Sequence, residues 1–316
     1  MQQIQTIGRY YRQKFGQNVY KIPISISGFT CPNIDGTVAK GGCTFCQNDT
    51  FSPNLLKDTK TSFKLKPSSQ TNPMLDMQLQ QLTQQYKQTK TKLQKKFKAK
   101  KFIIYFQSYT NTYAPIDTIK ALYDKALKLD DVVGLSIGTR TDSITDEVLD
   151  YLVLLNQKTE ITVEYGVQSI YDETLEKINR GHNFANIEKY IQKTKNKGLN
   201  VCAHIIFGLP NETKEMMKNT VKKIISLGVD SIKYHPLYVT KNTKLYIDYK
   251  AGNFKPIGQN EYIDMVIYAI KQQPKNLITQ RITAGVYDVV APLWCTNKHK
   301  QINNIRKELH KNGFVY

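Results

Sequence analysis

Residues 29–46, FTCPNIDGTVAKGGCTFC, hold three cysteines, Cys31, Cys43 and Cys46, in a C-x11-C-x2-C spacing. Gly36, Gly41 and Gly42 loosen the loop between them, and Phe45 stands just before the last cysteine. Thiolates separated by two residues reach one metal ion or one face of an iron–sulfur cube, because so short a loop brings both sulfurs to one side. A structural zinc site takes four ligands, yet the next cysteine is Cys202, and His182 is also distant. Three thiolates can instead hold three irons of a 4Fe–4S cube and leave the fourth open to an outside ligand. A disulfide with one spare thiol, or a distorted zinc knuckle, would use the same residues.

The elements around this loop follow a regular alternation. Residues 21–29 (KIPISISGF) alternate apolar and polar and predict a strand feeding the cysteines. Residues 47–73 are rich in Ser, Thr, Pro and Lys and predict irregular loop. Leu75, Leu79, Leu82, Tyr86, Leu93 and Phe97 recur every three to four residues, which predicts a helix over 74–98. Strands follow at 101–107, 131–138, 160–168, 199–207 and 231–239, separated by helices at 116–129, 145–155, 172–179, 187–197 and 213–227. Strands alternating with helices imply βα units and a parallel sheet. Six such units with a loop after the first fit an open (β/α)6 partial barrel, whose chemistry belongs at the C-terminal strand ends. We divide the chain into an N-terminal segment (1–20), the partial barrel (21–243) and a C-terminal extension (244–316). There is no GxGxxG and no P-loop lysine motif.

Residues two apart share one face of a strand, and here those faces are polar. Gln107 and Tyr109 share one, Gly138 and Arg140 a second, and Glu164, Gly166 and Gln168 a third. His204, Ile206 and Gly208, and then Lys233, His235 and Leu237, make two more. Burying Glu164, His204, Lys233 and His235 without partners would cost several kcal/mol each, so they must pair or meet a ligand. Any one alone could be a satisfied core residue; five strands offering such residues together mark a site.

The chain has 316 residues, 40% hydrophobic content and a formal net charge of +19. Such a field favours a polyanion, RNA or DNA, although a Lys-, Asn- and Ile-rich, Arg-poor composition also follows from AT-rich coding. The stretch 87–101 holds eight lysines and no acid, as either a solvated face or an RNA-facing edge. No apolar run is long enough to span a membrane, and the polar N-terminus lacks a signal-peptide core, so we expect a soluble, cytoplasmic protein. Five cysteines there stay reduced, which agrees with metal or cluster ligation.

The motifs together resemble the radical S-adenosylmethionine (SAM) enzymes of the YhcC/YtqA-like family, within the group that includes the Elongator catalytic subunit. The resemblance rests on the cysteine segment, YFQSYTNTYAP (105–115), VVGLSIGTRTD (132–142), VEYGVQSIYDETLEKINRGH (163–182), HIIFGLPNET (204–213), KYHPLYVTKNT (233–243) and the stretch 278–298. Thr141 and Ser143 stand where the family has Pro and Cys, and Tyr165 replaces a Leu; these departures bear on substrate fit. The resemblance implies that Cys31, Cys43 and Cys46 hold a 4Fe–4S cluster. It places Gln107, Ser108, Tyr109 and Thr110 at the SAM amino group, and Glu164 and Gln168 near the ribose. Arg180 would meet the SAM carboxylate, and Gly208, Leu209 and Pro210 would lie along the adenine. His204, Lys233 and His235 would face substrate.

The resemblance further implies a tRNA partner, with conversion of wobble 5-carboxymethylaminomethyl-uridine to the 5-aminomethyl form. A reductant such as flavodoxin or ferredoxin would supply electrons, and a methyltransferase could act next. Two other readings stand beside it: a radical SAM enzyme on a small molecule or peptide, and a zinc-binding RNA adaptor without catalysis. Arg281, Trp294 and Lys298 suit an RNA partner, through phosphate contact and base stacking.

Overall fold

The computed structural model describes residues 1–47, 63–285 and 288–316. After a short strand β1 (Gln2–Gln3) and helix α1 (Ile7–Phe15), strands and helices alternate. They are β2 (Val19–Ile24), α2 (Leu75–Phe97), β3 (Lys101–Phe106), α3 (Ile116–Leu127), β4 (Val132–Thr139), α4 (Asp146–Asn156) and β5 (Glu160–Gln168). Next come α5 (Asp172–Lys177), α6 (Phe184–Asn196), β6 (Asn200–Phe207), α7 (Lys214–Ser226) and β7 (Ser231–Pro236). The chain ends with β8 (Val239–Thr240), α8 (Lys244–Lys250), α9 (Gln259–Gln272), β9 (Ile278–Arg281), β10 (Val289–Ala291), α10 (Lys298–Lys311) and β11 (Phe314–Val315). Most of the loop expected at 47–73 lies outside the described residues.

Seven strands form one parallel sheet in the order β2-β3-β4-β5-β6-β7-β9. The six expected strands are all present. The seventh, β9, was not anticipated, because its four residues ITQR are too short and too polar to show a pattern. The sheet curls into a half-barrel: Lys21 on one edge strand donates to Gln280 on the other at 2.7 Å. Alternation decides what faces where. Ile22, Phe102, Leu135, Val163, Val201 and Ile232 are fully buried on the convex face, under the helices. Their neighbours in sequence, Lys21, Ser136, Glu164, Cys202 and Lys233, line the concave lumen.

The first strand stops at Ile24 rather than running to residue 29. Beyond it, helix α2 supplies the backbone partners that a neighbouring strand would give. The Ser25 amide donates to Gln85 Oε1 at 3.0 Å, and Gln85 Nε2 donates back to the Ser25 carbonyl at 2.7 Å. The Ser27 amide donates to Gln81 Oε1 at 3.2 Å, and Gln78 Nε2 donates to the Ser27 carbonyl at 2.7 Å. Gln78, Gln81 and Gln85 are therefore buried by purpose, with every amide matched to backbone. Once its backbone is satisfied in this way, the chain can leave the sheet and swing across the barrel mouth.

Helix α1 closes the base. Its Tyr11 is 2% exposed, and the Tyr10 hydroxyl donates to Glu160 Oε1 at 3.0 Å. The lysine-rich end of α2 also lies at the base, since this helix returns the chain to the start of β3. Its 23 residues separate that end from the cysteine end by ~35 Å. Lys90 and Lys101 there both pair with Asp131.

Candidate active site

The segment after β2 is folded on itself and clamped to the turn that follows α5. The Ile34 amide donates to the Cys31 carbonyl at 2.8 Å, the Gly42 amide to the Asn33 carbonyl at 2.7 Å, and the Cys46 amide to the Cys43 carbonyl at 2.9 Å. The Thr44 amide donates to the Ile178 carbonyl at 3.0 Å. Asn179 Nδ2 reaches the Gly42 carbonyl at 2.8 Å, while Asn33 Nδ2 returns a bond to the Asn179 carbonyl. The three cysteines converge, and none of the five in the chain forms a disulfide. Burial, together with the neighbouring Cys43 and Cys31 thiols, pushes Cys46 up to about 12. Three thiolates are stable this close only around a cation, so the donor set fits a positively charged centre.

Two guanidiniums flank the sulfurs. Arg140 Nη1 lies 3.9 Å from Cys31 Sγ, and Arg180 Nη1 lies 3.8 Å from Cys43 Sγ. Asn33 Nδ2 adds a 3.5 Å contact to Cys43 Sγ. Arg140 is itself fixed by a bidentate pair with Asp142, at 2.8 and 2.6 Å. His182 Nδ1 sits 2.9 Å from Arg140 Nη2 and 3.2 Å from Asp142 Oδ2. Burial raises the Asp142 carboxyl, but Arg140 and His182 outweigh it and hold the group well below the usual range. Arg140 was legible only as a face-mate of Gly138; its approach to a cysteine was not. The motif GTRTD now has a physical meaning, with Arg140 reaching the sulfur and Asp142 orienting it.

Other expected cofactor residues gather on the same side. Ser108 and Thr110 are buried after β3, and the Thr110 amide donates to the Thr30 carbonyl of the cysteine segment at 3.2 Å. Tyr109 and Gln168 both adopt left-handed backbone, with φ of 59° and 71°, a strained geometry for residues with a Cβ. Arg180 Nη2 donates to the Gly166 carbonyl. A Cβ on Gly166 would lie 2.8 Å from Gln168 Nε2 and 2.9 Å from Arg180 Nη2, so the glycine lets both side chains cross the strand end. Gln168 Oε1, Arg180 Nε and His182 Nε2 are buried without a hydrogen-bond partner among the described residues. Orphaned polar atoms together at a barrel mouth are what a bound polar cofactor satisfies. In the Gly208–Pro210 turn, Gly208 has φ +83° and a Cβ there would meet Ile257 at 2.6 Å; packing already demands the glycine.

Below the mouth lies the second half of the site. Glu164 has no side-chain exposure. It accepts from Lys21 Nζ at 2.7 Å and His204 Nε2 at 2.8 Å, and also from Ser136 Oγ and Lys233 Nζ. Glu164, expected near the ribose, thus has its acceptor capacity used within the lumen. Lys233 Nζ is 3.2 Å from the Tyr105 hydroxyl and 4.3 Å from the centre of its ring. His204 and His235 face each other with ring centres 5.9 Å apart. Burial raises the Glu164 carboxyl, but Lys21 and Lys233 override this and keep it well below its ordinary value. Burial lowers Lys233 to about 8 and, with Lys233 adjacent, lowers His204 to about 4. His235 is also depressed well below its ordinary value, by burial and then by Arg281. Glu164, Cys202 and His204 offer ligand atoms within 4.8 Å of one another, but two ammonium groups on that carboxylate oppose a cation there.

These histidines set an acid limit. An unfolded histidine takes a proton near pH 6.5, whereas folded His204 resists until about 4. The unfolded state therefore binds more protons over that window, and stability falls as pH drops from 6.5 to 4. The loss expected for His204 is about 3 kcal/mol; urea unfolding at stepped pH reads it, and a His204→Gln variant should show a shallower slope. An equal slope in both proteins would contradict the assignment.

Of the three C-terminal residues expected to suit RNA, Arg281 faces the lumen. Trp294 donates its Nε1 to the Ile257 carbonyl at 3.0 Å and packs 5.3 Å from Tyr262. Lys298 alone is exposed.

Comparison with known proteins agrees with this geometry. Residues 36–224 match the radical SAM superfamily profile, and residues 229–311 match the radical SAM C-terminal domain. The chain is 36% identical to the YtqA protein of Bacillus subtilis over 98% of its own length and 90% of that protein. It is 36% identical to the tRNA uridine(34) acetyltransferase of Methanocaldococcus infernus, over 49% of this chain and 29% of the larger protein. Among solved structures, the Elp3 protein of Methanocaldococcus infernus superimposes with a TM-score of 0.63 and 22% identity, covering 93% of this chain and 63% of that one.

Proposed function

Because the chain belongs to the radical SAM superfamily, we propose that it modifies the wobble uridine of tRNA, converting 5-carboxymethylaminomethyl-uridine towards 5-aminomethyl-uridine. Cys31, Cys43 and Cys46 would hold the 4Fe–4S cluster, with SAM bound beside it. When bound, cluster and SAM together would supply the one-electron chemistry that removes a hydrogen atom from substrate. Flavodoxin or ferredoxin is the electron donor in this reading.

The chain's own residues do the rest. Arg140 and Arg180 place positive charge beside ligating sulfurs, which stabilises the thiolates and tunes the centre they bind. Gln107, Ser108, Tyr109 and Thr110 receive the SAM amino group, and Gln168 and Arg180 turn their unpaired atoms to its ribose and carboxylate. The 208–210 turn borders the adenine. His204, Lys233 and His235, held by Glu164, face the substrate from the lumen, where the barrel wall excludes water and fixes the target carbon. Lys233, at about 8, can hold or release a proton near neutral pH.

The observation that carries the enzyme reading is the coincidence of three convergent thiols, lacking a fourth ligand among the described residues, with orphaned Gln168, Arg180 and His182 beside them. The tRNA reading is supported by the acetyltransferase relative named for tRNA uridine 34. It is supported too by the net charge of +19 and by exposed Lys40, Lys241, Lys244 and Lys298 on segments at the mouth. The lysine-rich end of α2, at the base, is not part of that rim. Nucleoside analysis of bulk tRNA from cells without the gene tests the substrate: 5-carboxymethylaminomethyl-uridine should accumulate and its downstream products vanish. An unchanged nucleoside profile would move the substrate to a small molecule or peptide.

A further inference from the structure

The charges in the lumen do not balance. Among the described residues, three cations project into it, Lys21, Lys233 and Arg281, against the single carboxylate of Glu164. Both lysines are already spent on Glu164. Arg281 has no ion pair or hydrogen bond to its guanidinium among the described residues. The placement of Arg281 is built by a local irregularity. Along β7 and β9 the register runs Ser231 to Ile278 and Ile232 to Thr279, then jumps so that Lys233 lies opposite Arg281. The extra residue, Gln280, makes a bulge, and a bulge lets two successive side chains face one way. Gln280 thus bonds Lys21 and Ser231 inside the lumen, while Arg281 shares the lumen face with Lys233. Its charge bears on Tyr105, His204, Lys233 and His235, which line the same space.

A partly buried guanidinium without a counter-ion is costly, and none of the described residues pairs a carboxylate with it. The space beside it is reachable, since the His204 side chain is 19% exposed although it lies mid-strand. We infer that Arg281, with Lys233 and His235 beside it, is the binding site for a carboxylate carried by the substrate. The inference rests on the substrate reading above. A planar fork matches a carboxylate in two parallel hydrogen bonds. The depth of the site selects the source of the anion. A substituent on a base turned out of its stack can reach down a barrel, whereas a backbone phosphate is held at the rim by the nucleotides on either side. Binding a carboxylate there brings the lumen closer to neutrality and offsets the Arg281 charge that adds to burial in lowering His235.

The test compares two anticodon stem–loops that differ only at the wobble base, one with the 5-carboxymethylaminomethyl group and one with its carboxamide. Both carry the same phosphates, so their difference isolates the carboxylate. The full chain should bind the acid about tenfold or more tightly than the amide. Arg281→Gln should bind both equally, at the wild-type affinity for the amide, and Arg281→Lys should show an intermediate preference. Equal binding of the two by the wild-type chain would overturn the inference, and phosphate contact would then explain the affinity. Retention of the full preference in Arg281→Gln would also overturn it. A chain that makes 5′-deoxyadenosine yet shows no preference loses this site and keeps the radical reading. Acid preference without 5′-deoxyadenosine keeps the site and removes the radical reading.

Discussion

Replacing Cys31, Cys43 or Cys46 by alanine should abolish iron incorporation and reduce 5′-deoxyadenosine formation on the order of a thousandfold or more. Each thiol occupies one corner of a three-ligand set, and among the described residues nothing adjacent can replace it. The polar side chains of the described residues that contact the sulfurs are Asn33, Arg140 and Arg180, of which two are cations and the third is a poor ligand for iron. The variants should still fold, because the loop is tied down by hydrogen bonds from the Thr44 and Gly42 amides and the Asn179 side chain that owe nothing to sulfur. Cys295→Ala is the matched control. Its thiol lies in a separate small cluster with Tyr238 and Ala284, and the variant should retain wild-type iron and turnover. Iron and acid-labile sulfide analysis checks the first effect, and chromatography of the nucleoside product checks the second. Full iron content in any of the three alanine variants would mean that the ligand set is misassigned.

The second large effect concerns stability. Glu164→Gln should destabilise the chain by about 3–5 kcal/mol, because it leaves Lys21 and Lys233 facing each other in a buried space without their anion. Relieving one charge should relieve part of the cost. Glu164→Gln combined with Lys233→Met should therefore be more stable than Glu164→Gln alone, a coupling that a double-mutant cycle measures directly. Urea unfolding with an unchanged slope reads the loss as a shift in midpoint. A single variant within about 1 kcal/mol of wild type would show that the lumen is wetter and more strongly screened than its burial implies.

What could be read from sequence, and what could not, divides along physical lines. The cysteine spacing, the six βα units and the period-two polar faces are local patterns, and all are present in the fold. Period two alone brought Glu164, His204, Lys233 and His235 to one side of the sheet. Partners are a different matter. Glu164 meets Lys21 across 143 positions of sequence, a contact made by sheet curvature that no window of residues contains. The same holds for Arg140 beside Cys31. Gln78, Gln81 and Gln85 look like a polar helix face, and their burial makes sense only once Ser25 and Ser27 leave the sheet. Strand β9 was hidden for the opposite reason. It is brief, polar and bulged, and those properties are what place Gln280 and Arg281 in the lumen.

The central claim is that this chain holds a cluster through Cys31, Cys43 and Cys46 and spends SAM on a tRNA base. Its most direct test is anaerobic reconstitution with iron and sulfide, then incubation with reductant, SAM and tRNA from cells lacking the gene. The account predicts a brown protein that forms 5′-deoxyadenosine and converts the wobble 5-carboxymethylaminomethyl-uridine. A colourless protein that forms no 5′-deoxyadenosine with all three cysteines intact would contradict it.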